Sequence, residues 1–199
     1  GPMYVDVADV DGDGQLDIIS ASWDDDKVNW YENTTAAPGT PTFTAADIST
    51  SANGADGVFA IDLDSDGDID VLSASYIDDK IAWYENDGAA NPSFTAATIA
   101  TSADNAKHVT AADMDNDGDI DVISASSGDN TIAWYENDGA ADPSFSAANI
   151  NTSAGEAQFV IAYDVDQDGD MDLISASQSD DKVAWYRNDG NANPTWTAI

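Results

Sequence analysis

One nine-residue loop occurs four times in this chain, and it constrains the fold more than any other feature. The loop reads Asp-x-Asp-x-Asp-Gly-x-x-Asp and begins at Asp9, Asp62, Asp113 and Asp164, at offsets of 53, 51 and 51 residues. An apolar segment ending in Ser-Ala-Ser follows each copy, and then an Asp-rich turn and Trp-Tyr-Glu-Asn, or Trp-Tyr-Arg-Asn in the last copy. Four repeats of about 50 residues therefore fill the 199-residue chain.

The pattern within one repeat predicts four short β-strands. In the second repeat they cover 58–63, 69–75, 80–86 and the residues around Phe94, and turn residues separate them. No segment keeps the i, i+3, i+4 apolar spacing of a helix over a helical length. We therefore predict an all-β chain, a β-propeller built from four-stranded antiparallel blades. The expected blades lie approximately at 3–50, 51–101, 102–152 and 153–199, within a single domain 1–199.

Four blades allow three arrangements. The chain could close as a four-bladed propeller, supply half of an eight-bladed ring in a homodimer, or be part of a longer propeller. Open blade flanks are a liability, which favours closure within or between chains. At the start of the chain, Gly1-Pro2 before Met3 resembles the remnant of an expression tag.

The repeated loop predicts a metal site in each blade. Alternate carboxylates on a tight turn converge on one point, and the glycine at position 6 permits the turn. An all-oxygen donor set favours Ca²⁺ over soft transition metals, and the residue at position 7 would contribute its backbone carbonyl. An EF-hand is excluded because position 12 is Ser in every copy and no flanking helices are predicted. The expected ligands are Asp9, Asp11, Asp13, Gln15, Asp17, Asp62, Asp64, Asp66, Asp68, Asp70, Asp113, Asp115, Asp117, Asp119, Asp121, Asp164, Asp166, Asp168, Asp170 and Asp172.

On these loops the sequence resembles the FG-GAP/VCBS repeat family, the calcium-binding blades of the integrin α-subunit propeller and of many bacterial surface proteins. The Phe-Gly…Gly-Ala-Pro element that names the family is not spelled out here, so the bacterial VCBS variant is the closer match. The resemblance implies a loop that joins the first two strands of a blade and holds a structural Ca²⁺. It also implies about four such ions, one in each repeat.

The charge balance excludes several functions. The chain has 39 acidic and 5 basic side chains, a net charge of −34, so a basic groove for nucleic acid cannot form. An anionic membrane surface would repel the chain, and no apolar run is long enough for membrane insertion. The absence of cysteine and the single His108 exclude thiol chemistry and zinc sites rich in Cys or His. Such self-repulsion makes bound cations the natural means of stabilising a compact state.

Three groups of side chains outside the loops carry predictions. Trp23 and Tyr76 lie at turn tips, where they would either bind a sugar ring or pack against a neighbouring blade. We expect His108 at the surface or at a strand edge. The strand tryptophans should pack between blades: Trp30, Trp83, Trp134 and Trp185. One shared strand position should face solvent: Glu32, Glu85, Glu136 and Arg187.

The function expected from the sequence is a non-enzymatic, calcium-binding module of a secreted or cell-surface protein. Its role would be adhesion or lectin-like recognition of a glycan or an extracellular protein, since the near-identity of the blades argues against one asymmetric catalytic site. Two alternatives remain open: a purely structural scaffold or spacer, and an accessory domain of a carbohydrate-active enzyme.

Overall fold

A computed structural model describes residues 1–35 and 39–199, and every regular element in these ranges is a β-strand. The predicted fold class is confirmed: four antiparallel sheets of four strands each follow one another along the chain. No helix of the described residues is long and apolar enough to cross a membrane. The strands of the first two blades are β1 (Pro2–Ala8), β2 (Asp17–Ser22), β3 (Lys27–Asn33), β4 (Phe43–Ser49), β5 (Ala55–Ile61), β6 (Asp70–Ser75), β7 (Lys80–Asn86) and β8 (Phe94–Ala100). Those of the last two are β9 (Ala106–Ala112), β10 (Asp121–Ser126), β11 (Thr131–Asn137), β12 (Phe145–Asn151), β13 (Ala157–Tyr163), β14 (Asp172–Ser177), β15 (Lys182–Arg187) and β16 (Thr197–Ala198).

Each sheet is a meander in which every strand pairs with the next one in sequence. The Asp loop joins the first strand of a blade to the second, as β5 and β6 show by pairing Ile61 with Asp70 across it. A short turn joins the second strand to the third at the opposite end of the blade. The two kinds of loop therefore lie on opposite faces of the assembly.

Blade packing follows from the alternation of side chains along the two middle strands. In blade 2, one side carries Leu72, Ala74, Ile81 and Trp83, which pack against blade 3, and we call the corresponding side of every blade its Trp face. The other side, the Tyr face, carries Val58, Val71, Ala82 and Tyr84, which pack against blade 1. The same Trp-face to Tyr-face packing recurs between blades 3 and 4. The predicted packing between blades is thus confirmed for Trp30, Trp83 and Trp134, which are buried in these clusters.

The series of blades does not close on itself. The Tyr face of blade 1 and the Trp face of blade 4 have no blade against them among the described residues. Val5 is 58% exposed although Val58, Val109 and Val160, its equivalents in the other blades, are fully buried. Trp185 is only partly buried for the same reason.

Side chains from the first strands fill the centre of the assembly. Tyr4, Gly57, His108 and Phe159 occupy equivalent positions, and the His108 ring lies 5.0 Å from the Tyr4 ring and 4.0 Å from the Phe159 ring between centroids. A Cβ on Gly57 would approach the His108 Cα to 3.1 Å, so the backbones of blades 2 and 3 are in contact here. The prediction of a surface histidine is wrong: His108 is buried because its strand is the innermost of its blade.

An asparagine side chain links each blade to the previous one. The Asn137 amide donates to the carbonyl of Ile120 in its own blade and to that of Leu63 in blade 2. Asn86 and Asn188 make the equivalent pair of bonds. Asn33 in blade 1 donates to the carbonyl of Leu16 within its own blade.

Candidate metal centres

Three carboxylates converge in each of the four Asp loops. The aspartates at positions 1, 3 and 5 place one oxygen each within 4.8 Å of the others, and each triplet could hold a metal ion, one per repeat. The glycine at position 6 has φ between +88° and +102° in all four loops, a left-handed conformation that glycine adopts without strain. The triplets are Asp9, Asp11 and Asp13; Asp62, Asp64 and Asp66; Asp113, Asp115 and Asp117; and Asp164, Asp166 and Asp168.

The loop backbone holds the first carboxylate in place and leaves oxygens free for a ligand. The amide of Gly67 donates to Asp62 Oδ2 at 3.0 Å, and the other three loops make the same bond. Asp9 Oδ1 and Asp113 Oδ1 are buried without a hydrogen-bond partner among the described residues. A buried carboxylate oxygen needs a donor or a cation, so these atoms fit a bound metal ion.

The aspartate at position 9 is buried in all four loops. The two oxygens of Asp70 accept hydrogen bonds from the backbone amides of Asn86 and Leu63, which tie the loop to the third strand and to itself. Burial raises the pKa of Asp70 to about 7, although these two backbone hydrogen bonds and the nearby Trp83 indole oppose the shift. Asp121 is shifted in the same way, to about 7. The structure does not bring position 9 into the triplet, and its role as a ligand stays a prediction.

The side chain at position 7 contacts the loop between the third and fourth strands. A Cβ on Gly88 would lie 2.0 Å from Asp68 Oδ2. A Cβ on Gly139 or Gly190 would come similarly close to the carboxylate of Asp119 or Asp170. Gln15 differs, because its amide donates to the Asp13 carboxylate. The backbone-carbonyl role expected of position 7 also stays a prediction.

Sequence reasoning missed a difference between the four loops. Arg187 faces solvent as predicted, with 49% of its side chain exposed, and its guanidinium also donates to Asp166 and, at 2.9 Å, to Asp168. Both aspartates belong to the fourth triplet. The signal was present in the sequence, because Glu occupies this position in the other three blades.

On the opposite face, Trp23 and Tyr76 lie side by side. Their ring centroids are 4.8 Å apart, and Lys107 Nζ lies 5.2 Å from the Trp23 ring and 4.4 Å from the Tyr76 ring. Lys107 also pairs with Asp56 at 2.8 Å. The two aromatics therefore pack against each other across blades 1 and 2, under an ammonium group from blade 3.

A polar depression of about 550 Å³ adjoins this cluster. We call it the polar groove; Tyr76 and Lys107 form one side, and Trp23 is not among its lining residues. The remaining lining contains no large apolar side chain and comes from blades 3 and 4: Asn105, Ser127, Gly128, Asn130, Glu156, Gln158, Gln178 and Ser179.

The fold and the loops define a class of protein, that of repeat proteins made of propeller-type blades with one acidic loop in each blade. The model of the FG-GAP-like repeat family matches four times, over residues 9–73, 62–124, 113–175 and 164–199. The chain therefore belongs to the FG-GAP-like repeat family, and the resemblance seen in its sequence is confirmed at that level. No curated protein matches the chain.

Proposed function

We propose that this chain is a calcium-stabilised, non-enzymatic recognition module of a secreted or cell-surface protein. The observation that carries the proposal is the Asp triplet, which recurs at the same place in all four blades. A catalytic site normally differs from its surroundings, whereas these four sites repeat one another.

The donor chemistry favours Ca²⁺ as the ion. Each triplet offers hard carboxylate oxygens on an irregular loop, and Ca²⁺ accepts six to eight such ligands in flexible geometry. Mg²⁺ demands a nearly ideal octahedron and gives up its water ligands reluctantly. Millimolar extracellular calcium would fill even weak sites of this kind, which supports a location outside the cell.

The role of the ion is structural. Three aspartates converge in each loop, and without a cation their mutual repulsion opposes the folded loop. An ion that binds only the folded state adds about 2.7 kcal/mol per site to the free energy of unfolding when its concentration is a hundred times its Kd. Four ions would also change the net charge from −34 to −26, since each adds two positive charges.

Isothermal titration with Ca²⁺ and with Mg²⁺ tests the ion and its number. We expect saturable Ca²⁺ binding at up to four sites and much weaker binding of Mg²⁺. Substitution of Asp62→Asn should remove one site, whereas Asp78→Asn, at a turn on the other face, should remove none. Equal affinity for the two ions would reject calcium selectivity.

The polar groove supports glycan recognition as the specific role of the module. Its amide and hydroxyl side chains can bond sugar hydroxyls, and the Tyr76 ring offers an apolar surface at its edge. A scaffold without a ligand, or an accessory domain of a carbohydrate-active enzyme, would share the loops but would not need this groove.

A glycan panel probed in calcium and again in EDTA tests this role. We expect binding to one class of neutral sugar, which Gln178→Ala and Tyr76→Ala should each weaken. Gln15→Ala, on the loop face, is the matched control and should leave binding unchanged. A panel without any bound glycan, from folded and calcium-loaded protein, would favour the scaffold or a protein partner.

A further inference from the structure

We propose that the two open flanks pair with each other in a second copy of this chain, with the Trp face of blade 4 packed on the Tyr face of blade 1. The proposal does not depend on the proposed calcium or glycan function. It commits to one occupant, a second identical chain, because the chain itself contains three examples of the same interface.

Exposed apolar side chains mark both flanks. Val183 on blade 4 is 76% exposed, whereas Val28, Ile81 and Ile132, its equivalents in the other blades, are fully buried. Ile161 and Tyr163 on the same face are also exposed. On the Tyr face of blade 1 the exposed residues are Met3, Val5 and Val7. Contiguous apolar surface on an otherwise strongly acidic protein indicates an interaction site.

The two faces have complementary parts because they are the two halves of one repeated contact. Wherever two blades meet, an Ile or Val on the third strand of the earlier blade packs in the same cluster as a Val on the first strand of the later one. Val183 and Val5 would form the fourth such pair. Both stand in the sheet at the positions that their buried equivalents occupy.

The hydrogen bonds between blades also indicate that the flank of blade 4 pairs with the flank of blade 1. Asn86, Asn137 and Asn188 each donate to a carbonyl of the previous blade, those of Val10, Leu63 and Met114. The next carbonyl in this series is that of Val165, and no asparagine of the described residues reaches it. Asn33 lacks the corresponding acceptor and has a donor hydrogen left after its bond to Leu16. Head-to-tail pairing would place Asn33 of one copy next to Val165 of the other.

Head-to-tail contacts between two copies form two identical interfaces and close a ring of eight blades. Inner strands lie around a wider channel in an eight-bladed ring than in a smaller one. The rings of Tyr4 and Phe159, now 6.3 Å apart between centroids, would therefore separate when the ring closes. High net charge opposes the association, so added salt should strengthen it.

Sedimentation equilibrium of the 199-residue chain in millimolar calcium tests the pairing. We expect a dimer of twice the 20.8 kDa chain mass. Val5→Asp and Val183→Asp should each weaken self-association at least about 30-fold, because each places a charge in a desolvated apolar contact. Both residues are exposed in the single chain, so each variant should stay folded as a monomer, with a melting temperature that no longer depends on protein concentration. Ile77→Asp is the matched control, since Ile77 is 58% exposed but lies at a turn away from both flanks.

Mixing the two variants tests the head-to-tail geometry. The Val5→Asp copy keeps an intact Trp face and the Val183→Asp copy an intact Tyr face, so a 1:1 mixture should form a heterodimer through one contact. A native chain that stays monomeric would overturn the proposal. If the Val5→Asp variant still dimerises on its own, head-to-tail pairing is wrong and the contact is a symmetric one between two blade 4 faces. A series of oligomers larger than the dimer would contradict the closed eight-bladed ring.

Discussion

The guanidinium of Arg187 donates to Asp168 across 2.9 Å and thereby places a protein cation on the fourth Asp triplet. No other Lys or Arg of the described residues pairs with a loop aspartate. The four candidate metal centres are consequently unequal, since an ion that binds at the fourth would have to displace Arg187.

Arg187 should weaken calcium binding at blade 4. We expect calorimetric titration to resolve three similar sites and a fourth at least about tenfold weaker, because the displaced ion pair opposes binding. Arg187→Glu, which restores the residue found in the other blades, should make the four sites similar. Lys182→Glu makes the same charge change in the same strand but pairs with Asp180 instead, so it should leave the fourth site weak. Four equal sites in the native chain would show that Arg187 does not compete.

The asparagine links between blades should stabilise the chain measurably. Asn137→Ala leaves the buried Leu63 carbonyl and the half-buried Ile120 carbonyl without their donor, which costs about 1–3 kcal/mol. That corresponds to a fall of roughly 2–12 °C in melting temperature for a chain of this size. Asn33→Ala is the matched control when both changes are made in the Val5→Asp chain, which should be monomeric, and it should cost less there because Asn33 makes no bond to another blade of its own chain. If the two variants lose the same amount of melting temperature, the hydrogen bond between blades does not contribute to stability.

The glycine after the third strand should control the neighbouring Asp loop. Gly88→Ala would set a Cβ 2.0 Å from Asp68 Oδ2 at a residue with φ +64°, so Asp68 must move and loop 2 should lose calcium affinity. Gly12→Ala has a similar φ of +71° with nothing within 4 Å of its Cβ, and should cost only the backbone strain of about 1–2 kcal/mol. Calcium titration and thermal melting of both variants separate crowding from strain. An unchanged loop 2 affinity in Gly88→Ala would count against the contact.

Acid should destabilise the centre of the assembly through His108. Burial among Tyr4, Phe159 and Gly57 lowers the pKa of His108 from 6.5 to about 4, and a backbone interaction with Val160 opposes the shift. The unfolded chain then takes up the proton first as the pH falls, so the free energy of unfolding decreases between about pH 6.5 and pH 4. At 1.36 kcal/mol per unit, the full loss is about 3 kcal/mol, of which about 2 kcal/mol is reached by pH 5.

A variant without the imidazole isolates this effect from the many carboxylates. The ionisable groups near His108 are the Tyr4 phenol, whose pKa burial raises, and the ion pair between Lys107, which precedes His108 in β9, and Asp56 in β5. His108→Phe keeps an aromatic ring against Phe159 and retains all of these groups. Urea unfolding of both chains from pH 8 to pH 5, each carrying Val5→Asp to keep it monomeric, should show the chain with His108 losing about 2 kcal/mol more than His108→Phe. Parallel pH profiles would rule out a buried neutral histidine.

The sequence predicts the repeating parts of this molecule well and the unique parts poorly. Strand order, blade packing of Trp83 and the converging carboxylates all follow from residues that recur every 51 to 53 positions. Strand boundaries are less certain, and β5 begins at Ala55, three residues before the expected start. The burial of His108 could not be predicted because it depends on three strands from different blades that meet at one axis. The Arg187 contact depends likewise on how far one side chain reaches.

Thermal melting in EDTA and in excess calcium tests the central claim most directly. Calcium at a hundredfold excess over the Kd of the three stronger sites, those of blades 1 to 3, should add about 8 kcal/mol to the free energy of unfolding. The melting temperature should therefore rise by at least about 15 °C. The matched variant Asp115→Asn, which weakens one triplet, should gain correspondingly less. A native chain that melts at the same temperature in EDTA and in calcium would contradict the account, because the Asp loops would then hold no ion that stabilises the fold.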